Sequence, residues 1–395
     1  MFQTTFLPKL LSEKLKVWVL APSLQTNDEN IDYYYDFSQS IEEYTKTFEE
    51  LGIEWKWQPV TMNDYAIVIN TIIDEKISGK YFPIVFNICD GDEVNDTPGI
   101  SVVKLLQQSG LIFTGADEYF YDITTSKIPM KTAFDKYDIP TAKWEAINHP
   151  DQNIDGIFER LGTPVIVKPS VSGGSMGLGI KNVVGNVVEL KQQIIKMFKG
   201  YRGWNLATDG LIAESFISGN EYTTLIVGDY DQPASAVIYT PVERVFHPSL
   251  PDTEKILSFD RLWEIYEDEK PMPDDGNFYE YGPPDSELVD AIKKISWNAF
   301  VATRGKGYTR VDLRRNRATG EIFVLEVNAQ CGLSEDENYT SIGAILRFCG
   351  KTFTDLVKEI MNTALKAAIK VPKKKSTRLY KVEYLLPLRK LGGSA

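Results

Sequence analysis

The sequence predicts an α/β protein whose N-terminal part contains an open, parallel sheet. Strand-like and helix-like segments alternate over residues 16–120, a pattern typical of parallel sheets covered by helices. The chain has 395 residues, more than one ordinary core accommodates, which suggests two or three domains. With 43% hydrophobic and 25% charged residues, the composition indicates a folded globular protein.

The N-terminal elements follow from apolar runs and glycine stops. Helices are expected over Ser38–Leu51, which Gly52 ends, and over VVKLLQQSG, which Gly110 ends. Strands are expected in KVWVLAPS, IEWKWQPV, YFPIVFNICDG and LIFTG. A further helix over Ile123–Tyr137 should stop at Asp138-Ile139-Pro140. These elements form the predicted parallel unit.

The rest of the chain predicts a small lobe and then a larger one. The small lobe combines the strand PVIVKPS, a glycine-rich loop, the strand GIKNV, the helix Val187–Phe198 and the strand LIAESFI. Strands EYTTLIVG and ASAVIYTPVE follow, and helices over Ser286–Thr303 and Phe353–Ala368 flank a hairpin. The irregular stretch His247–Pro284 is too long for an ordinary connection, so it is either a functional loop or locally mobile.

Charge and motif counts exclude several classes of protein. A net charge of -12 would repel nucleic acid, and the run Lys373-Lys374-Lys375 is more typical of a solvated surface than of a binding patch. Three widely spaced cysteines argue against disulfides or a thiolate zinc site, and two histidines argue against triads and His-rich metal sites. Because no stretch approaches 18 apolar residues, we expect a cytosolic protein without a membrane partner.

The segment KPSVSGGSMGLG is a candidate phosphate-binding loop. It places Gly173, Gly174, Gly177 and Gly179 within seven residues, after Lys168. Exposed backbone N–H groups in such a loop suit a phosphate, and Lys168 would point at it. The spacing matches neither a Walker A loop nor G-x-G-x-x-G. A flexible connector, with Lys168 reaching solvent, is the alternative.

Glu214 and Glu221 are candidate nucleotide contacts, because both lie near strand ends and are seven residues apart. A carboxylate there can accept hydrogen bonds from an exocyclic amine or from ribose hydroxyls. A surface position explains each of them equally well.

The hairpin RVDLRRNRATGEIFVLEVN sets two carboxylates against each other. With the turn centred on Thr319, Asp312 lies opposite Glu326 and Arg310 opposite Asn328, all on one face. Two carboxylates about 5 Å apart repel by roughly 3 kcal/mol, which a bound cation would reverse. Hard oxygen donors favour Mg²⁺, and Arg310 could brace a phosphate or an oxyanion. A bulge or slipped register that separates the acids is the alternative.

These motifs in combination resemble the ATP-grasp superfamily, and in particular the D-alanine:D-alanine ligase group. The shared features are a lysine before a glycine-rich loop, two glutamates seven residues apart, and R-x-D and E-x-N on paired strands, within Phe82 to Leu365. The resemblance implies a three-domain ATP-grasp fold. Its parts would be an N-terminal Rossmann-like pre-ATP-grasp domain (1–123), a small ATP-lid subdomain (124–212) and a C-terminal ATP-grasp and substrate domain (213–395).

The resemblance also implies site residues. Asp312, Glu326 and Asn328 would bind two Mg²⁺ ions, with Mn²⁺ as an option, while Arg310 and the amide of Gly332 would stabilise an acyl phosphate and a tetrahedral intermediate. Within the nucleotide set, Ser175 and its neighbours would close over the transferring phosphate, Glu214 would face the adenine amine and Glu221 the ribose. That set is Lys127, Lys168, Gly174, Ser175, Met176, Gly177, Glu214, Ser215, Phe216, Ile217, Glu221 and Lys255.

Departures from the ligase pattern lie on the side of the amino-acid substrates. Asp90-Gly91 stands where the ligases have a histidine-glycine pair, and Gly174 stands in place of a serine that orients the first substrate. Leu262 stands in place of a lysine, for which Lys255 or Arg261 could substitute. We therefore expect a substrate other than D-alanine.

The predicted activity is that of an ATP-dependent carboxylate–amine ligase, which forms an amide or peptide bond through an acyl phosphate. Its partners would be a small carboxylic acid and a small amine, and the resemblance allows a homodimer. The acidic run Glu335–Glu337 suggests an acceptor with an extra positive charge, or else it is loop surface. Two other functions stay open, a non-catalytic nucleotide-binding or regulatory protein and a small-molecule kinase on the same fold.

Overall fold

The structure, a computed structural model, describes residues 15–24, 36–273, 276–336 and 338–370. Its strands are β1 Leu15–Pro22, β2 Glu54–Val60, β3 Phe82–Asn87, β4 Ile112–Phe113, β5 Trp144–Ile147, β6 Val165–Pro169, β7 Val183–Val184, β8 Leu211–Ser215, β9 Glu221–Asp229, β10 Val237–Ile238, β11 Val242–Phe246, β12 Tyr279–Gly282, β13 Lys306–Arg315 and β14 Ile322–Ala329. Its helices are α1 Ser38–Leu51, α2 Tyr65–Ser78, α3 Ile100–Ser109, α4 Glu118–Thr125, α5 Lys127–Lys136, α6 Ile157–Leu161, α7 Val187–Phe198, α8 Phe259–Leu262, α9 Val289–Ala302, α10 Ser341–Cys349 and α11 Phe353–Lys370.

The first sheet has the strand order β2-β1-β3-β4, and all its strand pairs are parallel. Tyr44 and Phe48 of α1 pack on one face, while α2 and α3 cover the other face. Gly52, at φ 62°, ends α1 because glycine adopts the left-handed conformation without a Cβ clash. The predicted parallel α/β unit is confirmed, and α2 is an element that sequence reasoning missed.

The second sheet, of order β5-β8-β6-β7, is antiparallel and packs against α7. The prediction of a strand over GIKNV was wrong except at its last residue, Val183, because Ile180–Asn182 forms a 3₁₀ turn and β7 has only two residues, Val183–Val184. The buried amide of Asn182 donates to Val167 O at 2.7 Å and accepts from Gly179 N at 2.9 Å. Such side-chain bonds compete with the pairing of strands.

A second difference lies at Ser126, where one expected helix is two. Ser126 is extended, with φ -108° and ψ 133°, and it bridges to Val171. The N–H of Lys127 donates to Ser170 O at 2.8 Å. Because the helix is interrupted here, α5 begins at Lys127 beside the second sheet. Lys127 reaches the cavity described below.

The third sheet has the order β12-β11-β9-β13-β14, with β10 also paired to β9, and it is antiparallel. Phe120, Phe134 and Phe300 belong to the core that α4, α5 and α9 form on one face. On the other face, α10 and α11 share a core with the first sheet. The segment ASAVIYTPVE is two strands rather than one, and β5, β12 and α10 were not predicted.

The described part of the irregular stretch 247–284 packs onto the glycine-rich loop. Trp263 Nε1 donates to Gly174 O at 2.9 Å, and Phe259 N donates to Leu178 O at 2.8 Å. These contacts favour the functional loop over the locally mobile segment.

The sheets bear on the predicted domain boundaries. Strand β8 belongs to the second sheet, and the expected boundary after residue 212 falls inside it. A boundary after Ser215 follows the sheets better, and the three-domain division stays a prediction.

Candidate active site

The hairpin of β13 and β14 brings the four predicted residues together on one face. Asp312 pairs with Glu326, and Arg310 pairs with Asn328, in the expected register. All four line one cavity. The face is thus set by the alternation of side chains along a strand.

A β-bulge produces this register. Between the turn and the bulge, Leu313 pairs with Val324, so a regular ladder would continue with Asp312 opposite Leu325. The register shifts between Asp312 and Leu313, and Asp312 therefore meets Glu326. Sequence reasoning considered a bulge only as a way to separate the acids, whereas here the bulge brings them together.

Basic side chains compensate the two carboxylates. Asp312 accepts a hydrogen bond from Arg310 Nη2 at 2.9 Å and another from Asn328 Nδ2 at 2.9 Å. Glu326 Oε2 lies 3.4 Å from Lys127 Nζ, and its side chain is 29% exposed. The repulsion between the acids is therefore offset by protein cations, while Glu326 stays accessible from the cavity.

The donor set fits Mg²⁺ if the substrate supplies further oxygens. Asp312 and Glu326 offer carboxylates, and a 180° turn of the Asn328 amide would present its oxygen in place of its nitrogen. Within the described ranges, no three His, Cys, Asp or Glu side chains form a metal-holding group. Mg²⁺ commonly takes one or two protein carboxylates plus phosphate oxygens, so two acids suffice.

The glycine-rich loop contributes backbone to the cavity wall. Gly174 and Ser175 line the cavity, and both have positive φ, at 52° and 63°. The bond from Trp263 to Gly174 O holds this loop against the stretch 247–284. The loop thus has a defined conformation, as a phosphate cradle requires.

Three residues of the predicted nucleotide set do not lie on the cavity wall. Met176 is 1% exposed and belongs to an apolar cluster with Leu206 and Phe259. At Gly177, a Cβ would lie 2.8 Å from Leu206, so this glycine allows close packing beneath the loop. Lys255 Nζ lies 3.5 Å from Asp252. Met176 and Gly177 therefore pack beneath the loop, and direct nucleotide contacts by these three residues stay a prediction.

Glu214 is buried between two lysines. Its carboxylate contacts Lys168 and lies 2.6 Å from Lys131 Nζ, and the side chain is 1% exposed. Burial alone would raise the pKa of Glu214, but the two ammonium groups outweigh it and hold that pKa at about 2. The predicted contact to adenine would have to share these oxygens with the lysines.

Lys131 was missed by sequence reasoning. Its side chain is 0% exposed, and burial lowers its pKa although Glu214 acts in the opposite direction. The signal was present, because Lys131 follows Lys127 by four residues and therefore lies on the same side of a helix.

Glu221 is held by two arginines that were also missed. Arg244 contacts one of its oxygens, and Arg314 Nη2 lies 2.5 Å from the other. Burial would raise the pKa of Glu221, but the two guanidinium groups lower it. The alternation Arg310, Asp312, Arg314 along β13 could have shown that Arg314 shares the face of the site.

The loop after β14 is joined to the loop after β3. Gln330 Nε2 donates to Cys89 O at 2.7 Å, and Tyr121 Oη donates to Gly91 O at 2.8 Å. Both bonds hold backbone that flanks Asp90. The predicted Gly332, two residues after Gln330, lines the same cavity as Asp90.

The side chain of Asp90 is open to solvent within the cavity. The protein packed around it, together with the charge of Asp92, raises the pKa of Asp90 to about 6. Cys331, next to Gly332, is buried, and burial raises its pKa to about 12. A thiolate nucleophile is therefore not available there at neutral pH.

The acidic run is divided between surface and cavity. Glu335 lies 3.2 Å from Lys46, and both are exposed. Asp336 lines the cavity, but its Oδ1 accepts the N–H groups of Asn338 and Tyr339 at 2.9 Å and 3.1 Å. Glu337 lies outside the described residues. The run thus offers less free charge to an acceptor than its sequence suggests.

The cavity has a volume of about 1740 Å³ and lies where the three sheets meet. Among the predicted residues, those on its wall are Lys127, Lys168, Gly174, Ser175, Glu214, Ser215, Phe216, Ile217, Glu221, Arg310, Asp312, Glu326, Asn328 and Gly332. Leu262 and Arg261 line it as well. Over the described residues, the helices are too short or too polar to cross a membrane.

Comparisons with known proteins agree with this geometry. The family described as D-ala D-ala ligase C-terminus matches residues 133–362, more than half of the chain. A D-alanine–D-alanine ligase of Idiomarina loihiensis is 26% identical over 268 residues, which cover 67% of this chain and 75% of the relative. A D-alanine–D-alanine ligase of Cupriavidus necator is 28% identical over 264 residues, 67% of this chain and 71% of the relative.

A solved structure shows the same fold. The crystal structure of D-alanine–D-alanine ligase from Bacillus anthracis complexed with ATP superposes with a TM-score of 0.60 at 17% sequence identity, over 90% of this chain and 98% of that chain. Together with the sequence match, this shows that the chain belongs to the D-ala D-ala ligase C-terminus family and is an ATP-grasp, ATP-dependent, ADP-forming carbon–nitrogen ligase.

Proposed function

We propose that this ligase joins a small carboxylic acid to a small amine through an acyl phosphate, and that neither substrate is D-alanine. The observation that carries the proposal is the single cavity in which the Asp312–Glu326 pair, Lys127 and the glycine-rich loop meet. A carboxylate, a triphosphate and an amine must come together in such a reaction, and proximity of this kind supplies much of the rate.

Asp312, Glu326 and Asn328 would hold two Mg²⁺ ions, and Mn²⁺ could replace them. When bound, these ions supply charge neutralisation at the phosphate oxygens. Lys127, 3.4 Å from Glu326, and Lys168, beside Glu214, would orient the triphosphate. Ser175 and Gly174 would close over the phosphate that is transferred.

Arg310 and the amide of Gly332 are suited to the acyl phosphate and to the tetrahedral intermediate. Both donate hydrogen bonds where negative charge develops, which is how oxyanions are stabilised in enzymes. Arg310 is held by Asp312 through two nitrogens, at 3.0 Å from Nε and 2.9 Å from Nη2, so its fork is already oriented.

A substrate other than D-alanine is supported by the acids of the cavity. Asp90 stands where the resembling ligases have histidine, and it presents a carboxylate to the cavity. The relatives named above are D-alanine–D-alanine ligases, so D-alanine is the reference compound for any test. An acceptor with an extra positive charge, a homodimer and a cytosolic location all stay predictions.

The test is to incubate the full chain with ATP, Mg²⁺ and a panel of acids and amines, D-alanine included, and to identify products by mass spectrometry. We expect ADP, phosphate and an amide from a pair that lacks D-alanine. Glu326→Gln should lower the rate on the order of 10²-fold or more, because one metal-binding carboxylate is lost. Glu321→Gln, at an exposed site just before the same strand, is the matched control.

Each other outcome has a distinct meaning. A preference for two molecules of D-alanine would overturn the proposed substrate but not the reaction. A stable phosphorylated acid without an amide would identify a kinase. ATP hydrolysis without product, unchanged by Glu326→Gln, would identify a protein that has lost ligation.

A further inference from the structure

We infer that Arg244 and Arg314 are positioning residues for Glu221, and that through them the pocket discriminates between nucleotides by their sugar. The inference rests on the proposed function, because it takes the cavity to hold ATP with Glu221 beside its ribose. It extends that proposal to two residues that no motif assigned.

The three side chains form one row across three neighbouring strands. Arg244 of β11 pairs with Glu221 of β9, and Glu221 pairs with Arg314 of β13. The next row on the same face, two residues along, pairs Thr223 with Asp312. Two residues of a strand span about 6.7 Å, so the row of Glu221 lies one step from the proposed metal site. In a nucleotide, the ribose lies at a similar distance from the phosphates.

Both oxygens of Glu221 are fixed. Arg244 binds Oε1, and Arg314 binds Oε2 at 2.5 Å. The three side chains are only 5–7% exposed, so water screens these pairs weakly. Each carboxylate oxygen has two lone pairs, which leaves one on each oxygen for a ligand hydroxyl.

The arginines are themselves anchored to the wall of the pocket. Arg244 lies over the rings of Tyr279 and Tyr281, at 5.2 Å and 5.5 Å, and donates to the Tyr281 hydroxyl at 3.1 Å. These contacts fix the guanidinium on the β12 side of Glu221.

Arg314 connects three segments that border the pocket. Besides Glu221, it donates to Ile217 O at 3.3 Å and to Lys255 O at 2.6 Å. Its guanidinium lies 5.6 Å from the ring centroid of Phe216. A planar guanidinium with several donors can serve these acceptors at once, which a lysine cannot.

The cations expected from the resemblance are engaged elsewhere. Lys255 is near Asp252, and Arg261 Nη2 lies 2.7 Å from Glu254. Leu262 carries no charge. Arg244 and Arg314 are therefore the cations that contact Glu221 among the residues the structure describes.

The test compares the binding of ATP, 2′-deoxy-ATP and 3′-deoxy-ATP to the full chain with Mg²⁺, by calorimetry. The wild type should bind ATP roughly 10-fold more tightly than either deoxy nucleotide, as expected for one hydrogen bond to a charged group. Arg314→Met should abolish most of this preference while leaving the affinity for the deoxy nucleotides nearly unchanged. Arg315→Met, at the next position of β13 and on its opposite face, should retain the preference.

Two further variants keep the test decisive. Arg314→Lys should fail to restore the preference, because it cannot serve all three acceptors. If Arg314→Met does not fold, Arg244→Met carries the same expectation. A preference retained in both methionine variants, or absent from the wild type, overturns this inference alone. A wild type that binds no ATP overturns the proposed function and this inference together.

Discussion

Glu214 and Asp90 are two carboxylates on the wall of one cavity, yet their surroundings shift them in opposite directions. Glu214, near the expected adenine, lies between Lys131 and Lys168, and its pKa is about 2. Asp90, on the side of the expected amino-acid substrates, has a second acid, Asp92, nearby, and its pKa is about 6. Two ammonium groups lower the pKa of Glu214 against the effect of its burial, whereas the protein around Asp90 and the charge of Asp92 both raise the pKa of Asp90.

The comparison shows which half of the cavity is preorganised before ligands arrive. Around Glu214, ion pairs join the second sheet to α5, and around Glu221 they join three neighbouring strands of the third sheet. Around Asp90, the described protein supplies backbone anchors but no cation to the carboxylate. A nucleotide would thus enter a preorganised pocket, whereas the charge on the side of the amino-acid substrates is left for a substrate to neutralise.

Replacing one of the two lysines that contact Glu214 should have the largest effect on the stability of the protein. Lys131→Met leaves a buried carboxylate with one partner, and breaking a buried ion pair in this way costs about 3–5 kcal/mol. We expect a lower melting temperature, measured by calorimetry. Lys136→Met, on the exposed side of α5, is the matched control and should unfold close to the wild type. Equal stability of the two variants would show that Lys131 is not needed to neutralise Glu214.

Lowering the pH should reveal the contribution of the same cluster to stability, with a smaller effect. Because the pKa of Glu214 is lowered from 4.5 to about 2, its ionised form contributes stability that is present above pH 4.5 and is lost as the pH falls towards 2. That contribution is roughly 3 kcal/mol. The gap in unfolding free energy between the wild type and Glu214→Gln should therefore narrow between pH 4.5 and pH 2. The exposed Glu159→Gln provides the baseline, and a gap that stays constant would contradict the assignment.

Much of the hairpin part of the site could be predicted from sequence because it depends on local periodicity. Side chains two apart on a strand share a face, so spacing alone places Arg310 with Asp312 on one strand and Glu326 with Asn328 on the other. The helix α1 was likewise predicted to its last residue, since Gly52 is a strong stop. Short-range rules of this kind need no knowledge of the tertiary fold.

What could not be predicted depends on contacts between distant segments. The bulge after Asp312 has no local marker, yet it decides which residue faces Glu326. The break at Ser126 arises from bonds to residues 170 and 171, and the burial of Met176 arises from packing against Phe259. The partners of Glu221 come from strands more than 20 residues away, so a single-residue assignment to ribose missed them.

The smallest expected effect is at Asp90 and has the opposite sign to that at Glu214. A carboxyl whose pKa is raised from 3.8 to about 6 contributes stability that is fully present below pH 3.8 and is lost as the pH rises through 6. Asp90→Asn should therefore melt at the same temperature as the wild type near pH 4 but at a higher temperature at pH 7–8. Because Asp90 is open to solvent, the gain should be smaller than the effect at Glu214.

The exposed Asp290→Asn, at the start of α9, serves as the control for the substitution itself. Adding an amine that the enzyme accepts should abolish the advantage of Asp90→Asn at neutral pH, because a bound cation would neutralise the wild-type carboxylate. An Asp90→Asn variant that is less stable than the wild type at pH 7–8 would mean that a protein cation already pairs with Asp90, and the contrast between the two halves of the cavity would then fail.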